Sequence, residues 1–313
     1  MSTDPTPDNP FRLGTRRSPL AVAQACETRE RLCTAHGWAE NAVELVTVVA
    51  SGDKIHDRSL AEIGGKALWT RELDHWLREG RIDAAVHSLK DVETVRPAEL
   101  LIAAVLPRAD KADVLLGALS VDALPQGAIV GTSAPRRAAQ LLHQRPDCRV
   151  VLFRGNVATR MAKLAAGEVA ATFLAAAGLD RLGESGAGTR LDPASWLPAP
   201  SQAAIGIECR AGDGRAQEVL AAIDHAPSHA EVRAERGLLA ALGGSCHSAI
   251  ACLSEWDGDR LHLQAAVFSQ DGAERITGEA RFAPHDLAGP AALAAELLEA
   301  APESVRMTFQ PPA

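Results

Sequence analysis

Residues Ile82–Asp91 read IDAAVHSLKD. Ile82, Ala84 and Val86 alternate with polar or small residues, which marks a strand with at least one buried face. The run ends in Lys90 and Asp91. An ammonium and a carboxylate just past the carboxyl end of a buried strand stand where open α/β sheets bind their ligands. The ordinary reading of an isolated Lys–Asp pair is a solvated surface ion pair of little weight. The rest of the chain decides between the two.

On the amino-terminal side, residues 12–14 form a short strand that runs into Thr15-Arg16-Arg17-Ser18-Pro19. Ser18 is a good N-cap and Pro19 suits the first helical position, so a helix is expected over 19–36. Cys26 and Cys33 fall on one face of it with Val22, Ala25 and Leu32 and read as core residues. A strand follows over 42–50. The polar stretch 51–65 ends in Gly64-Gly65 and reads as a mobile loop. A helix over 66–79 has Trp69, Leu73, Trp76 and Leu77 on one apolar face and stops at Gly80.

On the other side, strands are expected over 100–106 and 114–116, and a second unit opens near Asp110. A strand over 129–131 leads to Thr132-Ser133, which can cap a helix over 135–144. A strand over 149–153 precedes Arg154-Gly155-Asn156 and a helix ending near Gly167, and another strand spans 170–175. Strands alternating with helices imply largely parallel sheets covered on both faces. Residues 195–202 (SWLPAPSQ) break the pattern and read as a crossing segment, followed by a strand over 204–209 and a helix over 215–224. Ser228 and Glu231 form a capping box for a helix reaching Leu242. Beyond Gly243-Gly244 the character changes. Strands near 249–253, 261–268 and 276–282 and a helix over 287–300 make a small α+β domain.

The totals exclude several classes. With 313 residues, the chain is long enough for two or three domains. A net charge of −8 argues against a general binder of nucleic acid or anionic membrane, and only 4% of the residues are aromatic, too few for base-stacking platforms. No apolar run is long enough to span a bilayer. The polar, Pro-rich residues 1–10 read as a frayed terminus rather than a secretion signal. None of the six cysteines shows a metal spacing, and they read as reduced thiols; no metal is expected.

Against that acidic background, helix starts carry cations. Arg16 and Arg17 precede the Ser18 cap. Arg136 and Arg137 sit in the first turn after Ser133. Arg154 precedes Asn156, Arg160 follows it, and Lys66 opens a helix. Cations at the positive end of a helix dipole cost stability unless an anion neutralises them. Backbone N–H groups and arginines together make an anion cradle. The plainer alternative pairs these arginines with nearby carboxylates. Arginine's planar fork suits carboxylates, so the favoured ligand carries several carboxylates or phosphates. With no GxxxxGK[ST] and no GxGxxG, a nucleotide is the weaker choice. Cys246, in a loop just past a helix end, reads either as a buried small hydrophobe or as an exposed attachment point.

Read together, eight segments resemble the porphobilinogen deaminase family. They are LGTRRSPLA (Leu13–Ala21), GGKALW (Gly64–Trp69), AAVHSLKD (Ala84–Asp91), IVGTSAPRR (Ile129–Arg137), RGNVATR (Arg154–Arg160), AAAGLDRLG (Ala175–Gly183), LPAPSQAAIGIECR (Leu197–Arg210) and GGSCHSAI (Gly243–Ile250). They occur in the family's order and cover essentially the whole chain.

The resemblance implies an α/β fold with two periplasmic-binding-protein-like (type II) domains flanking a cleft, plus a small C-terminal α+β domain. Domain 1 would take residues 1–108 and 203–224, domain 2 residues 109–202, and domain 3 residues 225–313. It also implies a dipyrromethane cofactor held by a thioether to Cys246. On it four molecules of the substrate porphobilinogen are polymerised with loss of ammonia, and 1-hydroxymethylbilane is then hydrolysed off. Asp91 matches the catalytic aspartate. Arg16, Arg136, Arg137, Arg154, Arg160 and Arg181 match positions that bind the pyrrole acetates and propionates. Ser18, Lys66, Lys90 and Ser133 match supporting positions, and Trp69 a cleft-packing one. The 51–65 loop matches a segment able to cover the cleft. A cytoplasmic monomer is implied, with no nucleic-acid or membrane partner.

The chain departs from the family's usual residues in places. Pro200-Ser201-Gln202-Ala203 stands where Val-Gly-Gln-Gly is common. Ala134-Pro135 replaces Ser-Leu, and Trp69 replaces Phe. Ser245 and His247-Ser248-Ala249 stand where Gly and Gln-Val-Pro are frequent. Two rivals fit the arginines: a non-catalytic two-lobed binding protein for a small polycarboxylate, which gives Cys246 no role, and a phosphate-binding transferase.

Overall fold

The computed structural model describes residues 5–48 and 70–309. Loop 51–65, Lys66 and Trp69 lie outside them. In chain order the elements are β1 (Phe11–Arg16), α1 (Pro19–His36), β2 (Val43–Val48), α2 (Arg71–Arg78), β3 (Ala84–Ser88), β4 (Leu100–Val105), β5 (Asp113–Leu116), β6 (Ile129–Gly131) and α3 (Pro135–Gln144). Then come β7 (Arg149–Val151), α4 (Val157–Ala165), β8 (Ala171–Ala175), α5 (Ala176–Arg181), β9 (Thr189–Arg190), β10 (Ile205–Arg210), α6 (Gly214–Ala221) and α7 (Ala226–Ala241). The chain ends in β11 (Ile250–Asp257), β12 (Arg260–Phe268), β13 (Arg275–Phe282), α8 (Ala288–Ala300) and α9 (Glu303–Arg306).

Two compact units divide the described residues: 5–48, 70–109 and 204–229 in the first, 110–203 and 230–309 in the second. The first holds a five-stranded sheet ordered β2-β1-β3-β10-β4. β1 runs parallel to β2 and β3, while β10 is antiparallel to β3 and β4. Phe11, Leu13, Ala84, Val86, Ile205 and Ile207 pack there with Ala25 and Leu32 of α1.

The second unit repeats the scheme as β7-β6-β8-β5-β9, with β6 parallel to β7 and β8, and β5 antiparallel to β8. Its core gathers Leu115, Val130, Leu141, Phe173 and Trp196. In both sheets the strand that follows a crossing, β5 after residue 109 and β10 after residue 203, enters as the antiparallel member. This is the type II order that the resemblance implies. The second unit also holds a three-stranded antiparallel sheet, β11-β12-β13, and α8 packs Leu293 and Leu297 into the same core as Leu263 and Val267.

Local signals explain the starts of α1 and α4. Ser18 caps α1, its side chain accepting from the Ala21 amide, and Pro19 follows at the first position. Asn156 caps α4 by accepting from Thr159. Two expected caps are overturned. Ser133 does not cap α3, whose N-cap is Ala134; the Ser133 hydroxyl instead donates to the Phe153 carbonyl at 2.8 Å. The Ser228 capping box fails as well, because α7 already begins at Ala226. Ser228 Oγ accepts from the Arg108 amide, and His225 Nδ1 takes the Ser228 amide. Cys26 and Cys33 are half-buried, and of the two Cys33 packs against the core; the buried face of α1 is Ala21, Gln24, Ala25, Thr28 and Leu32.

The crossing turn is strained. Ser201 (φ 61°) and Ala203 (φ 67°) are the non-glycine residues with positive φ among those described. Each pays about 1–2 kcal/mol for a side chain in the left-handed region. Ser201 Oγ is also buried without a hydrogen-bond partner. Ala203→Gly should raise unfolding stability by about 0.5–1 kcal/mol once glycine's extra chain entropy is subtracted. Ser201→Gly should gain more, because it also removes the orphaned hydroxyl. Denaturant titration of both variants checks the order; a loss at both positions would show that the turn is not strained.

Candidate functional site

Each described candidate of the two α/β sheets lies at the carboxyl end of a parallel strand or in the turn or helix that follows it, and the carboxyl ends are the ligand-binding edge of such sheets. In the first unit Arg16 ends β1 and Ser18 caps α1, while Lys90 and Asp91 occupy a single 3₁₀ turn, Leu89–Asp91, directly after β3. That turn is seated by Leu89, which is 1% exposed and packs on Gly206 so closely that a Cβ there would lie 2.3 Å from Leu89 Cδ2. Arg16, Ser18 and Asp91 share the wall of one cavity of about 60 Å³ with Gln24, Thr70, His87 and Ser88. This is room for about two waters, or for one small polar group. Gln24 and Ser88 hydrogen-bond through their side chains at 2.8 Å.

Behind this wall lies a buried ionic network. Arg96 donates from Nε and Nη2 to the two oxygens of Glu208 at 2.8 Å each, from Nη2 to Asp74 at 2.5 Å and from Nη1 to Glu93 at 2.5 Å. His87 Nε2 stands 3.5 Å from Glu208 Oε2. Burial would raise the Glu208 pKa, but Arg96 and His87 pull it down to about 2. Burial wins at Asp74 and pushes its carboxyl up, despite Arg96.

The second unit inverts this balance. Asp113, fully buried on β5, receives Arg136 Nη2 and Arg137 Nη2 at 2.7 Å, Trp196 Nε1 and Gln202 Nε2 at 2.9 Å, and Arg137 Nε at 3.2 Å. Burial opposes the charge on Asp113, but Arg136 and Arg137 hold its carboxyl well below the usual range. Burial lowers the Arg136 pKa, with Asp113 opposing. For Arg136 and Arg137, then, pairing with a carboxylate is what is observed. Two guanidiniums on one carboxylate still leave one surplus positive charge, and Arg136 Nε has no hydrogen-bond partner.

Ser133 lies past β6, and Arg154 past β7, where Gly155 (φ 126°) turns the chain into α4. Arg160 is in the first turn of α4, and Arg181 ends α5. All four are half-buried.

Cys246 lies between α7 and β11 and is exposed. Its turn is closed by serines: the Ser245 amide donates to Ser248 Oγ at 3.0 Å, and the His247 amide to Ser245 Oγ at 3.2 Å. Burial pushes the His247 imidazole below its ordinary pKa. The buried-hydrophobe reading of Cys246 therefore falls. Sequence reasoning missed Gln24, Thr70, His87 and Arg96. His87 and Ser88 lay inside the quoted AAVHSLKD motif, but nothing local marked Arg96. Among the described residues no group of His, Cys, Asp or Glu is placed to hold a metal, and no helix is long and apolar enough to cross a membrane.

Strand order defines a binding-protein-like α/β fold with arginines after its strand ends, joined to an α+β domain with an exposed thiol before its first strand. A family model described as "Porphobilinogen deaminase, dipyromethane cofactor binding domain" matches residues 11–218, and one for the C-terminal domain of the same enzyme matches residues 229–301. A porphobilinogen deaminase of Sphingopyxis alaskensis is 55% identical over 310 residues, covering 97% of this chain and 98% of the relative. One of Paracoccus denitrificans is 48% identical over 302 residues, covering 96% of each. The VFT2 domain of Bordetella pertussis BvgS is 17% identical, with a TM-score of 0.39 over 71% of this chain and 91% of that one, a likeness that bears no argument. The chain belongs to the porphobilinogen deaminase family. It is a transferase of tetrapyrrole synthesis with a dipyrromethane cofactor-binding domain, and the non-catalytic binding protein is not favoured.

The buried carboxylates set an acid limit. Glu208 is depressed from 4.5 to about 2, so its contribution is complete above its unfolded value and is lost as pH falls toward 2. Asp113, also depressed, acts in the same direction. Asp74, raised, has the opposite sign and favours the fold at lower pH. The denaturation midpoint should hold from pH 7 to about 5 and then fall. Asp113→Asn should cost about 3–5 kcal/mol at pH 7, because it strands two buried cations. Equal midpoints for variant and native protein would show that Asp113 does not hold the pair.

Proposed function

We propose that this chain polymerises porphobilinogen head to tail, four molecules with loss of ammonia each time, on a dipyrromethane attached through Cys246, and then releases 1-hydroxymethylbilane by hydrolysis. The observation that carries this reading is the cavity past β1 and β3, where Asp91 shares one wall with Arg16 and Ser18. It offers a cation and a hydroxyl for a pyrrole carboxylate beside a carboxylate for developing positive charge.

The residues present fit the cofactor. A dipyrromethane bearing acetates and propionates is a polycarboxylate, the second unit carries a surplus guanidinium charge, and the Cys246 thiol is exposed. When bound, the group supplies the pyrrole carbon from which the chain grows. The protein's own residues do the rest. Arg16, Arg136, Arg137, Arg154, Arg160 and Arg181 bind carboxylates, supported by Ser18, Lys90 and Ser133, and in the same proposal by Lys66. Trp69 packs against a pyrrole. Arginine is suited to this because its fork meets a carboxylate bidentately.

Loss of ammonia from the substrate leaves a cation conjugated with its pyrrole nitrogen. Asp91 stabilises that charge and handles the proton transfers. We assign three domains, 1–108 with 203–224, 109–202 and 225–313, one to each of the three sheets, the second compact unit holding the sheets of the last two. We place the activity in the cytoplasm and in the monomer.

Asp91→Asn should keep the fold and lose at least about 10²-fold in turnover of porphobilinogen, measured beside its denaturation midpoint. Near-normal turnover would defeat the assignment. The intact mass of native protein should exceed the chain mass by one dipyrrole, and Cys246→Ser should lack the increment. A native chain that stays unmodified even after incubation with porphobilinogen would favour a binding protein instead.

A further inference from the structure

Arg96 has no part in the reaction as proposed above, yet it carries four side-chain partners near the Asp91 cavity: Thr70, Asp74, Glu93 and Glu208. Its side chain is 8% exposed, and one guanidinium meets three carboxylates, those of Asp74, Glu93 and Glu208. Stability alone does not account for such a cluster. Taking charges out of water is costly, and apolar packing of similar volume often serves as well or better. A rigid fork supplies fixed directions instead.

Those directions lead to the cavity wall. Arg96 Nη1 reaches Thr70 Oγ1 at 3.4 Å, and the same hydroxyl donates to Glu93 at 2.9 Å. Thr70 lines the cavity and is fully buried. The Glu208 carboxylate, fixed by two arginine N–H groups, faces His87 Nε2, and His87 is among the residues lining the same cavity. Glu93 and Arg96 also follow directly on the turn that carries Lys90 and Asp91, a turn closed by the 3.2 Å bond from the Val92 amide to the Leu89 carbonyl.

We propose that Arg96 is a positioning residue for the reaction, holding Thr70, His87 and the Asp91 turn together as one wall of the cavity. The inference rests on the function proposed above. Asp91 has to meet a charge that exists only while ammonia leaves, and misplacement by about 1 Å can cost about 10²-fold in rate. The short turn needs a second anchor, and Arg96 provides it from five residues downstream.

The test is steady-state turnover of porphobilinogen by the holoenzyme, with denaturation midpoints taken alongside, for Arg96→Met, Asp91→Glu and the double variant. Arg96→Met should lower kcat by about 10- to 100-fold with KM nearly unchanged. In the Asp91→Glu background the same change should have little further effect, because the carboxylate has already left its place. If Arg96→Met does not fold, Arg96→Lys takes its place in the same cycle, keeping the charge and losing the fork. Unchanged kcat, or losses that multiply independently across the cycle, would overturn the role and leave a merely structural one. Native protein that turns over no porphobilinogen would instead overturn the function on which the role depends.

Discussion

Asp113 is the carboxylate on which the second unit's buried arginine pair depends. It lies on the strand that enters β7-β6-β8-β5-β9 antiparallel, and it gathers donors from α3, from Trp196 and from Gln202 of the crossing segment. Without it, two arginines at the start of α3 would be buried together, against the dipole of their own helix. With it, the helix start, the antiparallel strand and the crossing segment share one centre. Leu197 extends the arrangement, its carbonyl accepting from Arg136 Nη1 and Gln140 Nε2. The surplus charge suits a site for carboxylates, because the cluster is already oriented and its desolvation is met by the fold.

The first unit solves the opposite problem. There one guanidinium is set among three acids, and the balance is negative. On the proposed reading the reaction asks for both kinds of field, cations for the side groups of each pyrrole and a carboxylate for the charge left when ammonia departs. A network rich in carboxylate behind Asp91 favours positive charge in the cavity, whereas a network rich in guanidinium favours anions. The chain's net charge of −8 makes the second kind the scarcer one.

The sequence disclosed what is local. Ser18 with Pro19 and Asn156 before α4 each act within a few residues, and the structure follows them; Ile82–Asp91 does contain a buried strand, Ala84–Ser88, but Ala85 and His87 are buried along with Ala84 and Val86, so both faces are covered rather than alternating. It did not disclose what depends on distant partners. Ser133 and Ser228 look like caps, but a carbonyl 20 residues away takes the first and an amide 120 residues away the second. Arg96 reads as an unremarked loop residue because its partners stand 3, 22 and 112 residues off. The antiparallel placement of β5 and β10 is equally invisible, since neither strand's composition states its direction. The exposure of Cys246 could be read only with help from the resemblance, because a loop cysteine has no local sign of burial or access.

Two departures from the family's common residues show how differently a fold absorbs change. Around Cys246, Ser245 and Ser248 close the turn by exchanging side-chain and backbone hydrogen bonds, so the thiol is presented without glycine at 245 or proline at 249. In the crossing segment nothing relieves the backbone itself. Ser201 and Ala203 keep positive φ because their surroundings over-determine it: Glu235 accepts the Ser201 amide at 2.5 Å, and Gln202 between them donates to the Lys111 carbonyl and to Asp113. Gln202 reaches Asp113 only if the turn keeps its shape, so relaxing the two strained residues would withdraw a donor from a fully buried carboxylate of the unit. The strain is therefore tied to the arginine pair. The same constraint that orients the cations at the start of α3 holds two side chains where glycine would sit more easily.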